Sequence, residues 1–168
     1  MRLAQIRNDE DVLIDTNVLV YANQQKSDEC KQLLRRCASR EVRGIVAMPI
    51  LAELVHTLMI IEARDNGWIE RANPARALAE RPETVQRLTR YQTHVRELLG
   101  IGMKIEPAVR ADILEAMSIQ REFGLLTNDA LLLAVGRRLN CNSVATADQA
   151  FQNATGFMIY APGDLSSL

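Results

Sequence analysis

Asp11 to Ala22 reads DVLIDTNVLVYA, and this stretch decides the fold. Val12-Leu13-Ile14 is a short apolar run of the length and composition of a buried strand. It ends on Asp15, and Thr16 and Asn17 follow as helix-start residues before Val18-Leu19-Val20. A carboxylate is therefore expected at the C-terminal end of a strand, the edge at which open α/β sheets keep their chemistry.

The pattern repeats along the chain. Asp28 to about Arg40 has helical spacing at Cys30, Leu33, Leu34 and Cys37, and Gly44 to Met48 reads as a second buried strand. Pro49 suits the first turn of a helix whose apolar positions run from Ile50 to Ile61, with Glu53 inside it and Asp65-Asn66-Gly67 at its end. Met103-Lys104-Ile105 is a brief strand. Pro107 then opens a helix to about Phe123, with Val109, Ile113, Ala116, Met117 and Phe123 as its apolar stripe and Gly124 as its stop. Thr127-Asn128-Asp129 is a capping cluster before an apolar helix closed by Asn140 to Asn142. Ser143 to Thr146 is a strand that runs into Asp148 as the first runs into Asp15, and Phe157 to Tyr160 is the last, ended by Pro162-Gly163. Strands alternating with helices predict an α/β fold with a central, mainly parallel sheet flanked by helices.

With 168 residues, 48% hydrophobic and 24% charged, the chain has the composition of one globular domain spanning 1–168. Residues 1 to 10 are polar and expected at the periphery. From Glu62 to about Gly102 the sequence turns polar and arginine-rich, with Pro74, Pro82 and an amphipathic helix from Glu83 to Leu99, which predicts a helical hairpin outside the sheet. No apolar run approaches the roughly 20 residues of a membrane span. The N-terminus lacks the apolar core and cleavage site of a signal peptide, so a cytoplasmic protein with no membrane partner is expected. Cys30, Cys37 and Cys141 form no CxxC pair and the chain has two histidines, which favours reduced, buried thiols over a zinc site or disulfides. A net charge of −1 leaves nucleic-acid contact to local patches.

Asp15, Glu53, Asp129 and Asp148 lie in unusually apolar surroundings. Each has an innocent explanation: Asp15, Asp129 and Asp148 as helix caps, Glu53 as a solvated edge residue. Their conjunction is harder to dismiss, because right-handed crossovers bring strand ends and the following helix starts to one sheet edge. Carboxylates gathered there repel unless a cation or protons compensate. Oxygen-only donors suit Mg²⁺ or Mn²⁺, which activate water and stabilise charge developing on a phosphate.

DTNVLVYA with Asp15, ILAEL with Glu53, TNDALLLAVGRRL with Asp129 and VATADQAF with Asp148, in this order, resemble the PIN-domain nucleases, especially the VapC-like toxins of toxin–antitoxin pairs. The resemblance runs from about Val12 to Tyr160. It implies a PIN fold and Mg²⁺- or Mn²⁺-dependent hydrolysis of RNA phosphodiesters. Carried over by position, Asp15, Glu53, Asp129 and Asp148 are the acidic, metal-binding catalytic quartet, and Thr16, Asn17 and Thr146 are supporting residues that orient the acids or bound water. It also implies an RNA substrate, a VapB-like antitoxin and a homodimer. A PIN nuclease of RNA processing that is not a toxin, or a non-catalytic PIN-like module binding RNA or protein, are the alternatives.

Two other enzyme classes place an aspartate after a first strand. A haloacid-dehalogenase-type phosphatase requires a second acid two residues later, where this chain has Asn17. A receiver domain requires a late lysine, and none follows Lys104. His56 and His94 read as structural. Arginine clusters at 35, 36, 40 and 43, at 81, 87, 90 and 96, and at 137 and 138 read first as solvated faces and second as phosphate tracks. Trp68 and Tyr91 either stack on bases or anchor the hairpin.

Overall fold

The computed structural model describes residues 1–70 and 72–165. Along the chain run β1 (Asp11–Ile14), α1 (Thr16–Asn23), α2 (Asp28–Ala38), β2 (Arg43–Ala47), α3 (Met48–Asp65), α4 (Pro74–Ala79), α5 (Pro82–Arg87), α6 (Arg90–Gly100), β3 (Lys104–Glu106), α7 (Arg110–Phe123), α8 (Thr127–Leu139), β4 (Ser143–Ala145) and β5 (Met158–Tyr160). The five strands form one sheet in the order β3-β2-β1-β4-β5, and every neighbouring pair is parallel. The expected mainly parallel sheet is therefore wholly parallel among the described residues.

Strand order sets the position of the site. From β1 the chain steps outward through β2 to β3, then returns to place β4 on the other side of β1. The order reverses between β1 and β4, the chain going on from β1 to β2 on one side and from β4 to β5 on the other, which opens a crevice at their C-terminal ends. Leu13 pairs with Val144 and Ile14 with Ala145, so Asp15 and Thr146 leave the sheet side by side. β1 sits at the sheet's centre, and Val12, Leu13 and Ile14 have no exposed surface, which explains a continuous apolar run with no alternation. α8 lies close over it at Gly136, where a Cβ would come within 2.5 Å of Leu13 Cδ1 and 2.7 Å of the Cys141 carbonyl oxygen.

Four expectations are corrected. Residues 1 to 10 are not peripheral: Leu3 and Ile6 are core residues at 1% and 2% exposure, and Glu10 accepts hydrogen bonds from Ser143 and Tyr160. The helix expected from Glu83 to Leu99 is two helices, α5 and α6, broken where Leu88 is extended and buried. Glu62, on α3, causes the break. Its carboxylate is 4% exposed and accepts the backbone N–H groups of Thr89, Arg90 and Tyr91 at 2.9, 3.0 and 2.7 Å, so these donors at the start of α6 find their partner outside the helix. With α4, the segment 62–102 is thus three short helices against the end of α3 rather than a hairpin, residue 71 lying outside the described residues. They share a small core of Ala63, Ile69, Leu78 and Leu88.

The third correction concerns α7. It begins at Arg110 rather than Pro107, and Asp112 accepts the N–H of Val109 at 2.8 Å. Its buried residues are Asp112, Ala116 and Ile119, whereas Val109, Ile113 and Met117, expected to face inward, are 41%, 43% and 55% exposed. The helix turns this way because Arg138 on α8 binds Asp112 and Glu106 at 2.8 Å each, and the ion pair draws the Asp112 face inward. The fourth concerns Asp129, which is no N-cap: Leu126 holds that position, and Asp129 is the third residue of α8.

Candidate active site

Asp15 is the fixed point of the crevice between β1 and β4. It is 4% exposed, and its oxygens accept from three neutral donors: Thr16 N at 2.7 Å, Thr146 Oγ1 at 2.6 Å and the Asn17 side-chain amide at 2.5 Å. Asn17 reaches across the crevice, where its Oδ1 accepts Ala147 N at 2.8 Å. Thr146 Oγ1 in turn accepts Asp148 N at 2.9 Å. Asn17 and Thr146, 129 positions apart in sequence, therefore tie the end of β1 to the end of β4. These are supporting places expected from sequence. Thr16 serves through its backbone N–H, while its hydroxyl donates to the Ile50 carbonyl oxygen at 3.4 Å on α3.

The other three acids arrive on separate segments. Asp148 follows β4 and caps the 3₁₀ turn Gln149–Asn153, its Oδ1 accepting Ala150 N at 2.8 Å. Glu53 comes from the second turn of α3, and Asp129 from the first turn of α8. All four are brought to one edge. The charges of Glu53 and Asp148 act on Asp15, and those of Asp15, Asp148 and Glu53 act on Asp129. Burial first, and these like charges second, push the Asp129 carboxyl up to about 6. Asp15 is also pushed up to about 6: burial dominates, the hydrogen bonds from Thr146 and Thr16 oppose it, and the charges of Glu53 and Asp148 add to it.

One participant carries no sequence signal. Asn128 donates from Nδ2 to Glu53 Oε2 at 2.7 Å, linking α8 to α3. In the sequence it is indistinguishable from a capping residue, because a bond spanning 75 positions leaves no local pattern.

The arginine clusters behave differently. Arg87 stacks over the Trp68 ring at 4.1 Å, Arg90 pairs with Asp65, and Arg81 Nη1 donates to the Trp68 carbonyl oxygen at 2.6 Å. Arg137 pairs with Glu115 and Glu122, and Arg138 with Glu106 and Asp112. Trp68 is thus an anchor of the short-helix segment, and these arginines are held by their own chain.

Among the described residues, no Lys, Arg or His forms an ion pair with Asp15, Glu53, Asp129 or Asp148. Nor do three acidic, His or Cys side chains, as they stand, converge tightly enough to hold an ion. The four carboxylates are close enough for their charges to act on one another. As a donor set, oxygen-only and without a competing basic side chain, they fit a hard divalent cation.

Among curated proteins none matches the chain. Solved structures do. A toxin–antitoxin complex from Klebsiella pneumoniae matches at a TM-score of 0.56 and 16% identity, over 88% of this chain and 95% of that one. VapBC2 from Rickettsia felis, bound to a DNA fragment from its promoter, matches at 0.60 and 15%, over 90% and 98%. Mycobacterium tuberculosis VapC20, a toxin that cleaves the sarcin–ricin loop, matches at 0.56 and 16%, over 88% and 96%. These likenesses are likenesses of fold. The PIN domain model matches residues 12–156, from the first strand through Asp148, and with this sheet and this acidic edge the chain belongs to the PIN domain family.

Proposed function

We propose that the chain is a metal-dependent ribonuclease acting through Asp15, Glu53, Asp129 and Asp148. The observation that supports this best is the meeting of four carboxylates, from four separate segments, at the β1–β4 switch point without a basic partner among the described residues. A purely structural cluster would be expected to carry its own counter-charge, as Arg138 does for Glu106 and Asp112.

Each residue has a part. Three neutral donors hold Asp15 in one orientation without cancelling its charge. Asp148 is fixed by its own turn, and Asp129 and Glu53 approach from the two helices opposite. Mg²⁺ or Mn²⁺ held by these acids would supply the charge that offsets them and the activation of water for attack on a phosphodiester. RNA cleavage measured with Mg²⁺, with chelator and with Asp15→Asn in Mg²⁺ tests this. Loss of activity in the last two conditions is expected, and unchanged activity in both refutes it.

The same reading makes the chain the toxin of a VapBC-type pair in the cytoplasm, with a VapB-like antitoxin as partner. Its support is the toxin–antitoxin character of the proteins with this fold. Induced expression should arrest growth of a bacterial host, and Asp148→Asn should not. No helix among the described residues is long and apolar enough to cross a membrane. For the homodimer, we assign the outer face of α7. Of the eight large hydrophobic residues exposed among the described residues, four (Val109, Ile113, Leu114 and Met117) fall on its first nine positions and cap, beside the edge strand β3. Sedimentation should show a dimer that Ile113→Glu with Met117→Glu converts to monomer.

A further inference from the structure

Among the described residues, the Glu53 side chain is held by a single hydrogen bond. Asp15 is locked by three donors and Asp148 by the turn it caps, but Glu53 stands on a helix at the end of a flexible stem. Holding such a side chain in one rotamer costs conformational entropy. Its one hydrogen-bond partner among the described residues is the Nδ2 of Asn128, at 2.7 Å. Asn128 is the second residue of α8 and Asp129 is the third, so one helical turn carries both an acid of the site and the group that holds the acid opposite.

The chemistry of the partner matters. A lysine or arginine there would fix Glu53 equally well but would neutralise it and compete with any cation. A primary amide orients one oxygen, Oε2, and leaves the carboxylate's negative charge and its other oxygen available. Among the described residues, the bond to Glu53 is the one hydrogen bond that the Asn128 side chain makes.

We propose that Asn128 is a positioning residue, which presents Glu53 to the divalent cation that the four acids would hold. This rests on the metal-dependent reading above. Loss of the amide leaves Glu53 to be ordered by the ion itself, and the ordering cost then appears as weaker binding.

The test is Mn²⁺ binding, measured by calorimetry and by the loss of the free-ion paramagnetic resonance signal, on the full chain. Asn128→Ala and Asn128→Leu both remove the donor, one with loss of bulk and one without. Each should weaken Mn²⁺ binding by about 10-fold, the lower end of what outer-shell partners of ligands contribute, with thermal melting in chelator unchanged. In a Glu53→Gln background the same substitutions should weaken binding no further, because Asn128 acts through Glu53. Wild-type affinity in either variant, or an equal loss in both backgrounds, overturns the proposal. A wild-type chain that binds no Mn²⁺ refutes the metal site itself, and the proposal with it, an outcome distinct from wild-type binding that survives in the variants.

Discussion

Asp15 carries a stability cost that pH exposes when no metal is present. Its carboxyl is raised from an ordinary value of 3.8 to about 6, chiefly by burial. That difference of roughly two units corresponds to about 3 kcal/mol between the protonated and ionised forms in the folded state relative to the unfolded chain. With the folded value raised, the contribution is fully present below about pH 4 and is lost as pH rises through about 6. The folded protein therefore loses stability at Asp15 as pH rises, the opposite sign to a paired carboxylate, whose gain comes at lower pH. Asp15→Asn removes the titration. It also sets an Asn amide against the Asn17 Nδ2 that now donates to Asp15 Oδ2, an offset of about 1 kcal/mol that does not change with pH. Because Asp15 is among the causes of the elevated Asp129 value, the substitution also relieves Asp129, and the two protons are not separable by site. Urea denaturation in chelator, wild type against Asp15→Asn, at pH values from 4 to 8 measures the difference. The variant should gain about 2–3 kcal/mol on wild type between the two ends of the range, with most of the change between about pH 4 and 6. A difference constant with pH refutes the account of a buried, uncompensated carboxylate.

Three further substitutions test how the site's frame is built. Glu62→Ala strands the N–H groups of Thr89, Arg90 and Tyr91 and should lower stability by about 2–4 kcal/mol in urea denaturation. Burial raises the Glu62 carboxyl, but the three backbone donors outweigh it and hold it below its ordinary value, so this stabilisation is present above about pH 4.5 and should fade as pH falls further. Arg138→Met removes the partner of Asp112, whose side chain is 2% exposed, and should cost about 3–5 kcal/mol, with Asp112→Asn restoring part of it in the double variant. Gly136→Ala forces a methyl group against Leu13 Cδ1 and the Cys141 carbonyl oxygen, and should lower the unfolding free energy by about 1–3 kcal/mol, read as a drop in melting temperature.

The strands, and the acids that follow two of them, are legible in the sequence because they depend on local facts. Val12-Leu13-Ile14 is apolar throughout since a central parallel strand is covered on both faces, and Asp15 must come where the strand stops. Glu53 and Asp129 stand out for a related reason, a carboxylate inside an apolar helical run. What is not legible depends on partners distant in the chain. The break at Leu88 follows from a glutamate 27 positions before Thr89, and the orientation of α7 from an arginine 26 positions beyond Asp112. Helical periodicity marks the apolar residues of α7 but not which of two faces is turned inward, and a buried ion pair there overrides the larger side chains of Ile113 and Met117.

The same distinction separates Asp15 from Asn128. Asp15 is embedded in its own sequence neighbourhood: Thr16 and Asn17 supply two of its three donors, and Thr146 stands two positions before Asp148 in a second copy of the strand-then-acid pattern. Asn128 touches Glu53 only because α3 and α8, which belong to different crossovers, pack together. Two acids of this site, Asp15 and Asp148, are thus specified by strand ends, whereas the orientation of Glu53 is specified by helix packing. A substitution that shifts α8 by about 1 Å, as Gly136→Ala would, should therefore disturb the Glu53–Asn128 contact while leaving the Asp15–Thr146 contact in place, because the latter is held by the register of β1 on β4.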